Sequence, residues 1–139
     1  MTTSSNTTLA AAEWHHLDAR NKVLGRLATQ VAQLLLGKHR TDSRPHAVPP
    51  VYVVVTNSDE VVLTGTKEKK KLYRRYTGYP GGLRERTAAE VRRLDSRRLI
   101  VEAVAGMLPK NSLRDDRLKH LKVYAASEHP HEAQFKKTH

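Results

Sequence analysis

Val51-Tyr52-Val53-Val54-Val55 decides the fold of this chain. Four β-branched residues in five favour extended backbone, and neither alternate set of positions carries a charge. A strand with no polar side is expected to be buried on both faces, as in a parallel sheet lying under helices. Pro45, Pro49 and Pro50 place a loop before it, and Thr56-Asn57-Ser58-Asp59 turns the chain after it. Upstream, Trp14-His15-His16-Leu17-Asp18-Ala19 reads as a first short strand, ended by the polar turn Arg20-Asn21-Lys22. Between the two strands Leu24, Leu27, Ala28, Val31, Leu34 and Leu35 recur at helical spacing, with Arg26, Thr29, Gln30 and Gln33 interleaved. Gly37 stops that helix by taking the left-handed cap conformation. Lys38, His39 and Arg40 then stand at its C-terminal end, where cations suit the helix dipole and could equally reach phosphate.

Downstream, Val61-Val62-Leu63-Thr64 is expected to form a further short strand. Thr87-Ala88-Ala89-Glu90 is a capping box that opens a short helix through Val91 and Leu94, with Arg92 and Arg93 on its exposed side. Ser96 is expected to cap the next helix, whose buried face is Leu99, Ala103, Val104 and Met107, and Pro109 ends it. Residues 113–121 read as one more helical piece and Lys122-Val123-Tyr124 as a last strand. Strand, helix, buried strand and further helices predict a layered α/β fold, and 139 residues suit one domain with a real core. The uncharged Ser, Thr, Asn and Ala of residues 1–12 predict a disordered tail. The folded domain is expected over 13–126, followed by a polar extension at 127–139 that holds His129, His131 and His139.

Lys and Arg number 25 against 14 Asp and Glu, a formal charge of +11. The excess is concentrated: residues 67–98 hold twelve cations and four acids. Such a field attracts nucleic acid or an anionic membrane surface, but the Lys67 run has no apolar face with which to enter a membrane. Tyr73 and Tyr76 are interleaved with the cations of Lys67-Glu68-Lys69-Lys70-Lys71-Leu72-Tyr73-Arg74-Arg75-Tyr76, and Thr77-Gly78-Tyr79-Pro80-Gly81-Gly82 follows as a fixed loop with a third tyrosine. Cations meet phosphates, tyrosine faces stack on unpaired bases, and glycine lets backbone approach a polyanion closely, so RNA is the expected partner.

Enzyme readings fail one by one. The chain has no cysteine, which removes disulfides, Cys-based zinc sites and thiol catalysis. Gly65-Thr66-Lys67 lacks the upstream glycine and the Gly-Lys-Ser/Thr ending of a phosphate loop. The glycines at 78, 81 and 82 follow a charged run and form no dinucleotide fingerprint. His129 and His131 flank a proline, a poor spacing for helical metal ligation, and His15 and His16 must face opposite sides of a strand. Asp115-Asp116 between Arg114 and Arg117 is read as helix-surface ion pairs rather than a catalytic dyad. Neither catalytic residues nor a metal, cofactor or small-molecule substrate is expected.

Three segments, in order, carry a family resemblance. They are Trp14-His15-His16-Leu17-Asp18-Ala19 with Leu24-Gly25-Arg26-Leu27-Ala28; Lys71-Leu72-Tyr73-Arg74-Arg75-Tyr76-Thr77-Gly78-Tyr79-Pro80-Gly81-Gly82; and Ala105-Gly106-Met107-Leu108-Pro109-Lys110-Asn111 with Leu121-Lys122-Val123-Tyr124 and Glu128-His129-Pro130-His131. Together they resemble the universal large-subunit ribosomal protein thirteen family over about residues 14–134. The resemblance implies a three-layer α/β/α domain on a small, mostly parallel sheet. It implies a structural constituent that binds and organises large-subunit rRNA during assembly, sits among other large-subunit proteins and does not catalyse. Carried over by position, the rRNA-facing residues are Lys69, Lys70, Lys71, Tyr73, Arg74, Arg75, Tyr76, Gly78, Tyr79, Gly81, Gly82 and Arg84, with Lys110 after Met107-Leu108-Pro109. Arg26, Lys38, His39 and Arg40 form a second set.

The chain also departs from the family pattern. Ala47-Val48-Pro49-Pro50 stands where bacterial relatives have an Asp-x-Gly-Asp-like turn, and Tyr76 and Tyr79 stand where the family often has His. Asn111-Ser112-Leu113-Arg114 looks like mitochondrial members, while residues 128–134 are similar to plastid and bacterial ones. The resemblance therefore leans to a mitochondrial ribosome in the matrix, with plastid or bacterial cytoplasm as alternatives. The rival function is a free RNA-binding or assembly factor that leaves the mature particle.

Overall fold

The valine run is the middle of the sheet. In the computed structural model, which describes residues 12–41 and 45–136, strands β1 (Glu13–Asp18), β2 (Val51–Thr56) and β5 (Leu121–Val123) lie in the order β1-β2-β5, both pairings parallel. Strands β3 (Leu72–Tyr76) and β4 (Leu83–Thr87) form a separate antiparallel hairpin. The helices are α1 (Leu24–Leu36), α2 (Lys67–Lys70), α3 (Ala88–Asp95), α4 (Arg97–Met107), α5 (Leu113–Leu118) and α6 (Glu132–Lys136).

Two-residue periodicity sends Val51, Val53 and Val55 to the face covered by α1 and α4, where Leu27, Val31, Leu35, Leu99, Ile100 and Val104 are fully buried. Each such side chain contributes about 1.5–3 kcal/mol on leaving water, so this layer holds the domain together. Gly37 closes α1 in the left-handed region at φ 72°, as its position at the end of the apolar stripe predicts. The other face presents Tyr52 and Val54, and the polar extension folds back over it. Trp14 stacks on Tyr52 at 4.6 Å between centroids, and Phe135 meets Trp14 edge-on at 6.3 Å. His16, at 5.3 Å from His129, belongs to the same face, opposite to His15.

Several expectations are corrected. Residues 61–64 form no strand: Val62 makes one bridge to Val23, and the chain there runs past the start of α1 instead of joining the sheet. Ser96 does not cap α4, because its backbone is already helical (φ −63°, ψ −24°) and a capping residue must be extended. Its hydroxyl bonds to Ser58, at 2.9 Å, and to the Asp59 carboxylate. At α3 the expected cap holds: Thr87 is extended and accepts the Glu90 amide at 3.3 Å. Met107 is 43% exposed while Leu108, at 2%, fills the core: the helix ends there, and the turn to Pro109 swings Leu108 inward. The 113–121 piece divides into α5 and β5. Arg117 is 3% exposed with Nη2 at 3.5 Å from the Pro45 carbonyl, so it is not a surface partner of the aspartates; Asp116 pairs with Lys119 at 3.6 Å. The tail expected over residues 1–12 lies outside the described residues except for Ala12, which is exposed.

Candidate nucleic-acid interface

The basic stretch is not one strand. Lys67–Lys70 makes a single helical turn, and the chain then extends into β3 and returns along β4. Arg84-Glu85-Arg86 gives β4 no apolar period, which is why the sequence reading passes over it. Opposed residues in an antiparallel pair share a face. One face therefore carries Leu72, Arg74 and Tyr76 with Thr87, Glu85 and Leu83; the other carries Tyr73 and Arg75 with Arg86 and Arg84.

On the first face Arg74 pairs with Glu85 at 3.0 Å, and Tyr76 (66% exposed) stands across from exposed Leu83. Tyr79, 74% exposed, projects from the connecting turn. That turn is fixed by its backbone. The Gly82 amide donates to the Tyr79 carbonyl at 2.9 Å, with Pro80 and Gly81 between them and Gly81 at φ 72°, which is a type II turn. Gly82 is enclosed: a Cβ there would lie 1.9 Å from Thr77 Oγ1 and 2.8 Å from the Tyr79 carbonyl oxygen. The rings of Tyr76 and Tyr79 are thus held out in water on a shaped support, as base stacking requires.

On the second face the side chains turn toward α3 and α4. Tyr73 packs against the core, Lys71 Nζ lies 5.3 Å from its ring, and burial holds its phenol pKa above the usual value. Tyr73, Arg75, Arg84 and Arg86 line a cavity of about 170 Å³ with Val91, Arg98 and Glu102, and Arg74 and Thr77 reach its edge from the rest of the hairpin. Sequence reasoning missed Arg86 and Arg98; the period-two placement of arginines at 84 and 86 is the signal that could have found Arg86. Arg92, expected on the exposed side of α3, is a brace instead: it grips both Glu68 oxygens, at 2.8 and 3.1 Å, and the Asp59 carbonyl at 2.9 Å.

The remaining candidates are distributed. Exposed Lys69, Lys70 and Lys71 adjoin the hairpin. Arg26 is in the first turn of α1, whose Leu24 and Gly25 line a depression with Lys67, Lys71 and Met107; Lys110 is exposed three residues on. Lys38, His39 and Arg40 are not part of this cluster, because α1 carries them to the opposite end of the sheet. There Glu13 accepts from His39 (2.8 Å), His15 (3.2 Å) and Arg40 (2.9 Å). The His39 hydrogen bond is the main reason that the Glu13 carboxyl is held below its ordinary value. Among the described residues, Glu13, His15 and His39 are also spaced closely enough to hold a metal ion, but the Arg40 guanidinium already supplies positive charge to that carboxylate.

Residues 12–130, which include the sheet, the hairpin and its arginine-lined face, match the family model described as Ribosomal protein L13. The chain belongs to the ribosomal protein L13 family. Large ribosomal subunit protein uL13 of Solibacter usitatus is 49% identical over 122 residues, 88% of this chain and 85% of that protein. The protein of the same description from Thermotoga petrophila is 51% identical over 122 residues, covering 88% and 82%, and that of Beutenbergia cavernae is 49% identical over 125 residues, covering 90% and 85%. The L13 family match ends at 130, just short of α6.

Proposed function

We propose that this L13-family chain is a structural, non-catalytic constituent of the large ribosomal subunit that binds and organises large-subunit rRNA during assembly. The observation that carries the proposal is the hairpin: it projects the densest cationic segment of the chain, two exposed tyrosines and a rigid glycine turn from one domain. Relatives named as large-subunit proteins, about half identical over most of their length, support the same reading. On this reading Lys69, Lys70, Lys71, Arg74, Arg75, Tyr76, Gly78, Tyr79, Gly81, Gly82, Arg84, Arg26 and Lys110 face rRNA, and Tyr73 supports them from beneath. Lys38, His39 and Arg40 form a second, smaller contact at the other end of the sheet. Residues 13–126 are the RNA-binding domain and 127–139 a polar C-terminal extension, of which the described part, up to 136, packs on it; other large-subunit proteins are the neighbours.

Co-sedimentation tests the proposal. A structural constituent stays with the large subunit through a high-salt wash, whereas an assembly factor is released and found only with immature particles. The ribosome is the location. Within that, the bacterial origin of the relatives supports bacterial cytoplasm, while Asn111-Ser112-Leu113-Arg114 supports the mitochondrial matrix. Fractionating the source cells and probing each ribosome population for this chain separates the two.

A further inference from the structure

The arginine-lined cavity beneath the hairpin has the chemistry of an anion site. Arg75 and Arg84 are directly opposed across the β3–β4 ladder, where like charges destabilise a hairpin, and Arg86 opposes Tyr73 beside them. Among the described residues no carboxylate pairs with Arg75, Arg84 or Arg86, and Glu102, the acid that lines the cavity, is engaged by Arg98 at 3.0 Å. The Tyr73 hydroxyl is buried at this face and finds no hydrogen-bond partner among the described residues. A buried hydroxyl without a partner is costly, and so is a cluster of cations without a counterion. Two independent deficits, one of acceptors and one of negative charge, meet at one 170 Å³ cavity.

We propose that this cavity seats one backbone phosphate of the bound RNA, held by Arg75, Arg84 and Arg86 and accepting a hydrogen bond from the Tyr73 hydroxyl. The proposal rests on the RNA-binding reading and sharpens it. The outer hairpin face, with Tyr76 and Tyr79, meets bases, and the inner face clamps the backbone. A phosphodiester relieves both deficits, because its oxygens accept from guanidinium and phenol alike. The phenol, kept protonated by burial, remains a donor over the physiological range. Glu102 bounds the site and, by holding Arg98, keeps that guanidinium from adding to the positive charge there.

The test compares full-length variants for binding to deproteinised bacterial large-subunit rRNA, with thermal melting as a folding control. Tyr73→Phe removes only the hydroxyl and should weaken binding about tenfold to a hundredfold without lowering the melting temperature, since a hydrogen bond to a charged group is lost. Arg75→Ala with Arg86→Ala should weaken binding more than Lys69→Ala with Lys70→Ala, although both remove two charges. If Tyr73→Phe binds as wild type and the two double variants are equal, the cavity seats no phosphate while the RNA-binding reading stands. If the lysine pair also has no effect, the RNA-binding reading falls with it. Titration with inorganic phosphate distinguishes the source of the anion. A melting temperature that rises with phosphate in wild type but not in the Arg75, Arg86 variant, with rRNA affinity unchanged between them, would assign the cavity to free phosphate and overturn the proposal.

Discussion

Met107 and Leu108 are adjacent and apolar, yet only one of them holds the core. Helical spacing assigns Met107 to the face of Leu99 and Val104, but α4 ends at Met107 and the extended backbone of Leu108 (φ −83°, ψ 149°) turns its side chain inward. Leu108→Ala should cost about 2–5 kcal/mol in denaturant unfolding, the range for emptying a buried leucine site. Met107, whose sulfur touches only the Thr29 hydroxyl at 3.6 Å among the hydrogen bonds described, should cost less than about 1 kcal/mol on replacement by Ala. Equal costs would place Met107 in the core after all. Glu13 gives a second residue-scale expectation. Its folded pKa is depressed, first by the His39 hydrogen bond, so the stability it contributes is present above its unfolded value of 4.5 and is lost as pH falls through the lower folded one. His39→Ala should therefore flatten the acid limb of a stability–pH curve below 4.5, by a modest amount because the carboxylate is half-exposed and screened by solvent. An unaltered limb would show that the pair contributes nothing.

Elements differ in how far sequence reveals them, and the differences have causes. Strand β2 and helix α1 are legible because one periodicity governs every residue: no polar position in 51–55, and an apolar stripe closed by Gly37 in the other. Strand β4 is illegible because its register is imposed by pairing with β3, and arginines replace the apolar half of the pattern. The candidate site shows the same division. Its tyrosines, lysines and glycines are visible as a run, whereas the cavity of Tyr73, Arg75, Arg84, Arg86 and Arg98 exists only after two strands and α4 meet. The turn between β3 and β4 yields a prediction of its own. Gly81→Val with Gly82→Val places one valine at φ 72° and drives the other Cβ into Thr77, so the turn must deform. RNA affinity should fall at a net charge still of +11. Unchanged affinity would mean that the loop makes no shaped contact. The covering segment 129–136 yields another. Burial, ahead of the His129 charge, lowers the pKa values of His16 and His131, against which Asp18 pulls His16 upward and Lys122 pushes His131 further down. Imidazoles depressed on folding contribute stability above 6.5 that is lost as pH falls below it. Trp14, the sole tryptophan, touches His131 and Phe135, so its emission should report loosening of this segment below about pH 6.5, ahead of global unfolding. Emission that changes only with global unfolding would contradict this.

At the scale of the whole molecule, the decisive quantity is how the charge is divided between holding the protein together and holding its partner. Of the cations in 67–98, Arg92 braces α2 against α3, Arg74 pairs with Glu85, Arg97 with Asp95 and Arg98 with Glu102. The last three pairs are exposed and add little stability, so on the RNA-binding reading their carboxylates chiefly tune how much positive charge remains for RNA. The lysines 67, 69, 70 and 71 and the arginines 75, 84, 86 and 93 have no carboxylate partner among the described residues. On the RNA-binding reading, these eight cations are the ones that residues 67–98 can offer to phosphate without first breaking an internal pair. If about six to eight are engaged, log K for RNA should fall against log salt with a slope of magnitude about 4 to 7, since each neutralised phosphate releases its condensed counterion. Arg92 and Arg97, being internally paired, should leave that slope almost unaltered when replaced by Ala, while removal of Lys69 and Lys70 should lower its magnitude by about 1.4 to 1.8. The measurement is a salt titration of RNA affinity for the three proteins at constant pH. A slope near zero for the wild-type chain would show that the hairpin meets its partner through something other than phosphate. A slope that drops as much on losing Arg92 as on losing Lys69 would show that the internal pairs open when RNA binds, so that the count of free cations in the unbound chain does not set the stoichiometry of contact.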